Sequence, residues 1–306
     1  LDVGQPSLDQ LRLFLAVADE GSFNAAARKL GRAISVVSYG VANLENQLGV
    51  TLFAREGSRK PELTEAGTAL LAEARAVADD VDALLAKVRS LHQGLEAELA
   101  LAMDVMAPNT IVASVLREFQ RMFPTVNLRL YVEALGAIGA LVLDGRCTLG
   151  FGGDMIADLP ELSRQRIGSV ELIPVAAPGH PLAKAARREP GETRKHLQLV
   201  LTDRSPLTAG REFSVVAART WRLADLGAKH ALLREGIGWG NMPKHAVAGD
   251  LQRGELTELQ LPEHTAISYQ LNALWRKDAP LGPAATWMLD AFKARLEEEC
   301  AAFTGK

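Results

Sequence analysis

A chain of 306 residues, 48% hydrophobic and 23% charged, has room for two domains with real cores and a small third one. Its net charge of −3 argues against a wholesale polyanion binder, so any contact with nucleic acid has to be local. No run approaches the roughly 18 uncharged apolar residues of a membrane span, and Cys147 and Cys300 have neither CxxC nor His-paired spacing, so they read as reduced, buried thiols.

Along the chain, Leu8, Leu11, Phe14, Leu15 and Ala18 follow helical spacing, with Ser7 as a cap and Gly21 as a break. Ser22 opens a second helix, SFNAAARKL, with Phe23, Ala26, Ala27 and Leu30 on one face. Gly31 and Arg32 turn the chain into a third helix, whose Val37, Val41, Leu44 and Leu48 form a buried stripe. Two short helices joined by a glycine-containing turn match the helix-turn-helix, in which the second helix enters the major groove. Burying that stripe turns Ser35, Ser38 and Tyr39 outward as candidate readers, and places Ile34 to touch a thymine methyl. Positive charge comes from the flanks: Arg28, Lys29 and Arg32 before the helix, Arg55, Arg59 and Lys60 after it. Leu52-Phe53 and Leu63 read as arms of a two-stranded wing with EGSRKP at its tip. Residues 1–66 carry seven Lys/Arg against eight Asp/Glu, so charge alone leaves a DNA reader and a generic three-helix interaction domain equally open.

From Thr64, a plausible cap, to Gly94, a stop, the spacing predicts one long amphipathic helix. Leu70, Ala74, Val77, Val81, Leu84, Val88 and Leu91 recur at threes and fours. Such a helix packs on a second copy or on its own chain; dimerisation is the reading that gives a weakly charged reader two half-site contacts.

Beyond Gly94 the texture is α/β. LEAELALAM reads as a strand, NTIVASVLREFQRMFP as a helix with Asn109 as its cap, VNLRLYVE as a strand, ALGAIGALVLDG as a helix and CTLGFGG as a strand. Strands in RIGSVELIPVAAPGHPLA and LQLVLTDRS follow, then FSVVAAR, a helix over RLADLGAKHALLREG, a short GIGWG strand and a final helix, PAATWMLDAFKARLEEEC. This order suggests open, mostly parallel sheets with helical crossovers. Neither GxGxxG after the first strand nor GxxxxGK[ST] occurs, so no cofactor is implied. The six histidines form no HExxH and there is no GxSxG, which leaves no catalytic residues and no metal site to name.

The run FNAAARKLGRAISVVSYGVANLENQLGVTLFAREGSRKPELTEAG resembles the winged helix-turn-helix of the LysR-type bacterial transcriptional regulators. AARKL, VS in the third helix, LE followed by LGVTLF, an Arg two residues later and LTEAG carry the likeness, and HPLA and GIGWGNMP look like that family's effector domain. The resemblance implies an N-terminal all-α winged helix-turn-helix (1–66), a long linker and dimerisation helix (67–93), and a C-terminal α/β effector domain (94–306). That domain would comprise two Rossmann-like subdomains in a periplasmic-binding-protein-like arrangement. Subdomain I would span 95–163 and 269–306, subdomain II 164–268, with crossovers near Leu162-Ser163 and Ser268-Tyr269. It also implies double-stranded operator DNA, a small-molecule effector, a second copy (dimer and then tetramer) and RNA polymerase as partners, with no membrane. The opening LDVGQPSLDQ has no basic run before an apolar one, so the cytoplasm is the expected location. The chain departs from the family at Ala33-Ile34, where Ser-Gln is common, and at Tyr39, where Arg is frequent; operator sequence, rather than DNA binding itself, is what these departures affect. A solute-binding protein or an enzyme using the same α/β domain is the alternative reading.

In such a fold a ligand lies at the carboxyl ends of strands, against helix N-termini. The candidates there are Met106, Asn109, Thr110, Gly152, Thr202, Asp203, Trp221, Trp239 and Asn241. Amide groups at 109 and 110 would hold a carboxylate, and the two tryptophans would suit a flat or aromatic body, so a small organic or aromatic acid is expected.

Overall fold

The computed structural model describes residues 4–54, 60–92, 94–154, 159–184, 191–261 and 266–304, without the side chains of 90, 91 and 300–304. The chain forms two compact units, Leu1–His92 and Gln93–Lys306.

In the first unit, helix α1 (Leu8–Glu20) begins with a reciprocal cap: the Ser7 hydroxyl accepts from the Gln10 amide and the Gln10 side chain accepts from the Ser7 amide. Gly21, at φ 63°, ends it. Ser22 caps α2 (Phe23–Leu30) through the Ala25 amide at 2.9 Å. Helix α3 (Ile34–Leu48) starts at Ala33 with no side-chain cap and buries Val37, Val41 and Leu44. It lies so close to α1 that a Cβ on Gly40 would sit 2.2 Å from Leu13 Cδ1. The wing arms meet in one antiparallel bridge, Phe53 with Leu63, and the Phe53 ring packs edge-on against Phe14 and Phe23. Thr64 caps α4 (Glu65–His92) by accepting from the Gly67 amide at 3.0 Å.

In the second unit, chain order is β1 (Glu98–Asp104), α5 (Asn109–Met122), β2 (Asn127–Glu133), α6 (Gly136–Leu143), β3 (Leu149–Gly153), β4 (Leu162–Ala176) and α7 (Pro181–Lys184). There follow β5 (Gln198–Leu201), β6 (Thr220–Leu223), α8 (Leu226–Arg234), β7 (Trp239–Pro243), α9 (Lys244–Arg253), β8 (Thr257–Glu258), β9 (Ile267–Arg276) and α10 (Pro283–Thr304). Among the described residues the strands make one sheet ordered β2-β1-β3-β9-β4-β7-β5-β6, with β8 on β4. Successive residues of β1 serve opposite faces: Leu99, Leu101 and Met103 meet α5 and α10, while Ala100 and Ala102 meet α6.

The expectation of mostly parallel pairing holds only at the two wings. Strands β1, β2 and β3 are parallel, as are β5, β6 and β7, but the centre is antiparallel because the long strands β4 and β9 run in opposite directions between the wings. Strand β9 and helix α9 were not foreseen in the sequence. FSVVAAR forms no strand; Gln198 binds its backbone instead, donating to Ser214 O at 2.8 Å and accepting from the Val216 and Ala217 amides. Asn109 is not the cap of α5: Pro108 holds that position and Asn109 is the first helical residue.

Candidate functional site

On the first unit, Ile34, Ser35, Ser38 and Tyr39 form an exposed face of α3, with Tyr39 71% accessible. Arg28 is exposed at the end of α2 and Lys60 beyond the wing. Arg32 is exposed too, but its guanidinium pairs with Asp9 at 2.7 Å, and neighbouring Lys29 pairs with Glu20 at 2.6 Å. Exposed pairs of this kind hold little energy, so phosphate can take either cation from its carboxylate. Arg55 and Arg59 lie outside the described residues. The sequence reading missed Glu45, a buried carboxylate on the inner face of α3. One of its oxygens accepts from the Leu52 amide at 2.7 Å and the Phe53 amide at 3.2 Å, which fixes the first wing arm against the helix.

In the second unit, two neighbouring chambers adjoin β5; the inner lies between the Met106 turn, Leu135 and β9 on one side and β5, β7 and α8 on the other. The inner one, about 50 Å³, is lined by Met106, Leu135, Gln198, Phe213, Ser214, Lys229, Asn241 and Tyr269 among others. The outer one, about 330 Å³, shares Leu135, Val200, Leu201 and Phe213 with it and adds Thr202, Asp203, Ser205, Thr208 and Arg211. Leu135 (φ 51°) and Ser214 (φ 54°) are the non-glycine residues with positive φ among the described residues, and both line the inner chamber. Each costs about 1–3 kcal/mol, and strain of that kind concentrates at ligand sites.

Asp104, Tyr269 and Lys229 are deeply buried. Asp104 accepts from Tyr269 Oη at 2.6 Å, from the Met106 amide at 2.9 Å and from the Gly153 amide at 3.2 Å. Burial outweighs these bonds and pushes its carboxyl up to about 6, while burial and the adjacent Asp104 raise the Tyr269 phenol well above its usual range. Lys229, on the inner face of α8 one turn before Leu233, donates from Nζ to the Asn241 carbonyl at 2.6 Å, and burial lowers its amine to about 8. Asp203 accepts from the Thr208 hydroxyl through Oδ1, and its buried Oδ2 has no hydrogen-bond partner among the described residues.

Of the nine predicted ligand residues, Met106 and Asn241 therefore meet in the inner chamber, and Thr202 and Asp203 in the outer one. The others go elsewhere. Trp239 is completely buried in a core with Leu182, Leu259 and Leu261, because β7 is an interior strand. Trp221 stands half-exposed on the edge strand β6. Gly152 is packed against Ile138 of α6, 3.2 Å from where a Cβ would stand. Asn109 and Thr110 are exposed on the first turn of α5, outside both chambers; Pro108 before them borders a separate cavity with Lys244 and His245. Lys229, Asp104 and Tyr269 were missed, although a lysine in phase with Leu233 and an aspartate ending the apolar run LALAM were visible signals.

Residues 8–68 match the family model described as bacterial regulatory helix-turn-helix protein, lysR family, and residues 92–297 match the LysR substrate binding domain. The chain belongs to the LysR family. A probable HTH-type transcriptional regulator of Escherichia coli, YhaJ, is 27% identical over 92% of this chain and 94% of its own length. The regulator AceR of Acinetobacter baumannii is also 27% identical, over 92% and 95%. Among solved structures, an OxyR mutant of Corynebacterium glutamicum superposes with a TM-score of 0.55 at 21% identity, covering 98% of this chain and 97% of that one. Full-length LysG from the same organism, with bound effector Arg, gives 0.52 at 21%, covering 95% and 98%.

As a LysR-type regulator, the protein is a DNA-binding transcriptional regulator with an effector-binding domain, and such regulators self-associate and are not enzymes. In this member Leu70, Leu71, Ala74 and Ala78 of α4 pack into the first unit's core, whereas Val77, Leu84, Leu85 and Val88 are exposed. The side chain of Leu91 lies outside the described set. Among the described residues no helix is long and apolar enough to cross a membrane.

Proposed function

We propose that this regulator reads double-stranded operator DNA through Ile34, Ser35, Ser38 and Tyr39, grips phosphate through Arg28, Arg32, Arg55, Arg59 and Lys60, and responds to a small organic acid in the two chambers. The observation that carries the effector reading is the inner chamber itself: a buried ammonium, Lys229, beside Leu135 and Ser214, both in strained backbone conformations. The chambers are framed by the subdomains proposed for 95–163 with 269–306 and for 164–268. Ligand that contacts both would bias their closure and with it the presentation of the DNA-binding unit. The aromatic preference rested on Trp221 and Trp239; neither lines a chamber, so the acid is proposed without that restriction. Assembly is through the exposed stripe of α4, as a dimer and then a tetramer, and RNA polymerase is the partner of the DNA-bound form. Because operator DNA is the target, the cytoplasm is the working location.

The test is a thermal-shift screen of small organic acids, followed by gel shifts with the promoter-proximal DNA in the presence of each hit. An acid that shifts the melting temperature and alters DNA affinity supports the reading. Acids that alter DNA affinity equally in wild type and in a variant with the inner chamber filled, Ser214→Phe, would remove this site and leave the regulator assignment standing.

A further inference from the structure

Residues 34–41, ISVVSYGV, make the first two turns of α3 and hold neither a cation nor a side-chain amide. In the major groove Arg or Lys reads guanine and Asn or Gln reads adenine. What stands outward here is Ile34, 49% accessible, Val36, 47%, and Tyr39, 71%. None of the three is among the apolar residues packed on the first unit's core. Ser35 and Ser38 share the face, but a hydroxyl serves more than one base and discriminates poorly. The side-chain amides of α3 come later, at Asn43, Asn46 and Gln47, whereas a recognition helix reads with its N-terminal residues. Asn43 and Gln47 are half-buried, and Asn46 stands about 18 Å of helix beyond Ile34.

The helix cannot turn this face away. Glycine at 40 sets α3 against Leu13, Val37, Val41 and Leu44 are buried, and Glu45 is bonded to the Leu52 and Phe53 amides. Rolling α3 far enough to cover Tyr39 would break all of these contacts. Single exposed apolar side chains are ordinary on a protein surface. Here they gather at the start of one helix, and the exposed cations Arg28, Arg32 and Lys60 flank that helix in sequence. A polyanion is the partner such cations fit, and the apolar group a duplex displays in its major groove is the thymine 5-methyl.

We infer that α3 reads its operator through the 5-methyl groups of pyrimidines, seated against Ile34, Val36 and Tyr39. The inference rests on the proposal that this face meets operator DNA, and it adds Val36 to the readers named there. The face then responds to a methyl group rather than to the base that carries it. Thymine is the ordinary carrier. 5-Methylcytosine holds the same group on the same ring carbon, while uracil and cytosine hold none. Operator binding is therefore sensitive to cytosine methylation beneath α3, a sensitivity that bidentate hydrogen bonding does not confer. Each methyl covered changes affinity by about fourfold, the effect of burying one such carbon.

The decisive experiment selects a duplex from a random pool with the full-length protein. That duplex is then remade one thymine at a time, with uracil, with cytosine or with 5-methylcytosine, the last two paired to guanine. Gel shifts give the affinity of each. Uracil at several positions of a half-site should weaken wild type by about fourfold each, and 5-methylcytosine there should bind about fourfold more tightly than cytosine. In Ile34→Ser with Val36→Ser both ratios should fall to near unity at the positions those residues cover, while the positions under Tyr39 keep them; Tyr39→Ala should do the converse. Dividing the wild-type ratio by the variant's removes any effect of uracil on duplex shape. All three side chains are exposed, so the variants should melt with wild type; Ile34→Ala with Val36→Ala serves if the serine pair does not fold. A selected duplex that binds tightly yet loses nothing with uracil at any position would overturn the inference and leave the operator proposal standing. So would ratios that persist unchanged in both variants. Failure to select any duplex over random DNA would remove the operator proposal and this inference with it. A serine pair that kept full affinity for the selected duplex but changed sedimentation would make the face a protein contact, and the inference would fall.

Discussion

The phenol of Tyr269 reaches over the backbone of Gly153 to donate a 2.6 Å hydrogen bond to Asp104 Oδ2. The two residues belong to β9 and β1, strands separated in the sheet by β3, so the bond ties three strands together beside the inner chamber. A Cβ at 153 would stand 1.9 Å from the phenolic oxygen, and the ring can lie there only over glycine. Gly153→Ala is therefore expected to expel Tyr269 and destabilise the effector domain by about 1–3 kcal/mol, as overpacked cores do. Urea denaturation of the wild type and variant measures it, and an unchanged midpoint would show that the ring has an alternative seat.

The same pair sets a pH dependence. Burial lifts the folded-state carboxyl of Asp104 to about 6, above its ordinary 3.8, so between those values the folded protein holds a proton that the unfolded chain has lost. Its contribution to stability is present below about 3.8 and is lost as pH rises through about 6. Asp104→Asn removes this titration. Relative to the variant, wild type should lose stability from pH 4 to pH 6.5 and change little above that, as read from melting curves collected at each pH. The groups bearing on Asp104 are the Tyr269 hydroxyl and the Met106 and Gly153 amides, none of which titrates in that window.

Glu45 presents a parallel case in the DNA-binding unit. Its carboxylate terminates the Leu52 and Phe53 amides, at 2.7 and 3.2 Å, in a buried place where water cannot replace it. Glu45→Ala should cost about 1–3 kcal/mol for the amides left without acceptors. It should also weaken DNA binding, because Phe53 carries the wing bridge to Leu63. Loss of stability with full DNA affinity would separate the wing from the reader.

What could be read in the sequence follows from how local its cause is. Ser7, Ser22, Gly21 and Gly31 act within four residues of themselves, and the helices they bound appear where their spacing places them. Thr64 likewise caps the long helix through Gly67. Strand β9 carries a legible signal that the reading passed over: in ISYQLNALWR, Ile267, Tyr269, Leu271, Ala273 and Trp275 alternate with Ser268, Gln270 and Asn272. Helix α9 was hidden: KHAVAGDLQR buries only Val247 and Asp250, so little apolar stripe marks it. In the cavity, Met106 and Asn241 followed from the rule that ligands meet strand ends, whereas Trp239 obeyed the stronger demand of an interior strand. Lys229 needed the partner strand: nothing within α8 shows that Gly240 lies beneath its stem.

Self-association has its own prediction. Leu84 is 60% accessible and Val88 41%, on a helix whose first half is already packed. An apolar face of this kind is expected to be covered by a second copy. Leu84→Asp with Val88→Asp should convert the assembly to a 32.9 kDa species in sedimentation at micromolar concentration and weaken operator binding in parallel. Those positions lie outside the first unit's core, so its melting should be spared. A wild type that sediments only as the monomer would refute the assignment.

The last prediction divides reading from gripping on the DNA face. Arg28 and Lys60 are exposed cations flanking α3, and Arg59 belongs to the same positive flank in sequence. Each phosphate contact releases counterions, so losing one should lower the slope of log affinity against log salt by about 0.9 for every duplex alike. Tyr39 carries no cationic group and is 71% accessible on that face, so Tyr39→Ala should leave that slope nearly unchanged. It should instead shift preference among operators by about 1–3 kcal/mol at the base pairs it meets. Arg32 should fall between the two, since its pair with Asp9 at 2.7 Å has to open before it can reach phosphate; Asp9→Asn would then strengthen binding to all duplexes at low salt. Gel shifts with each variant across a salt series and a small operator panel resolve these slopes. If Arg59→Ala or Arg28→Ala changed only sequence preference, or if Tyr39→Ala reduced the salt slope by a full contact, the division of labour along α3 and its flanks would be wrong.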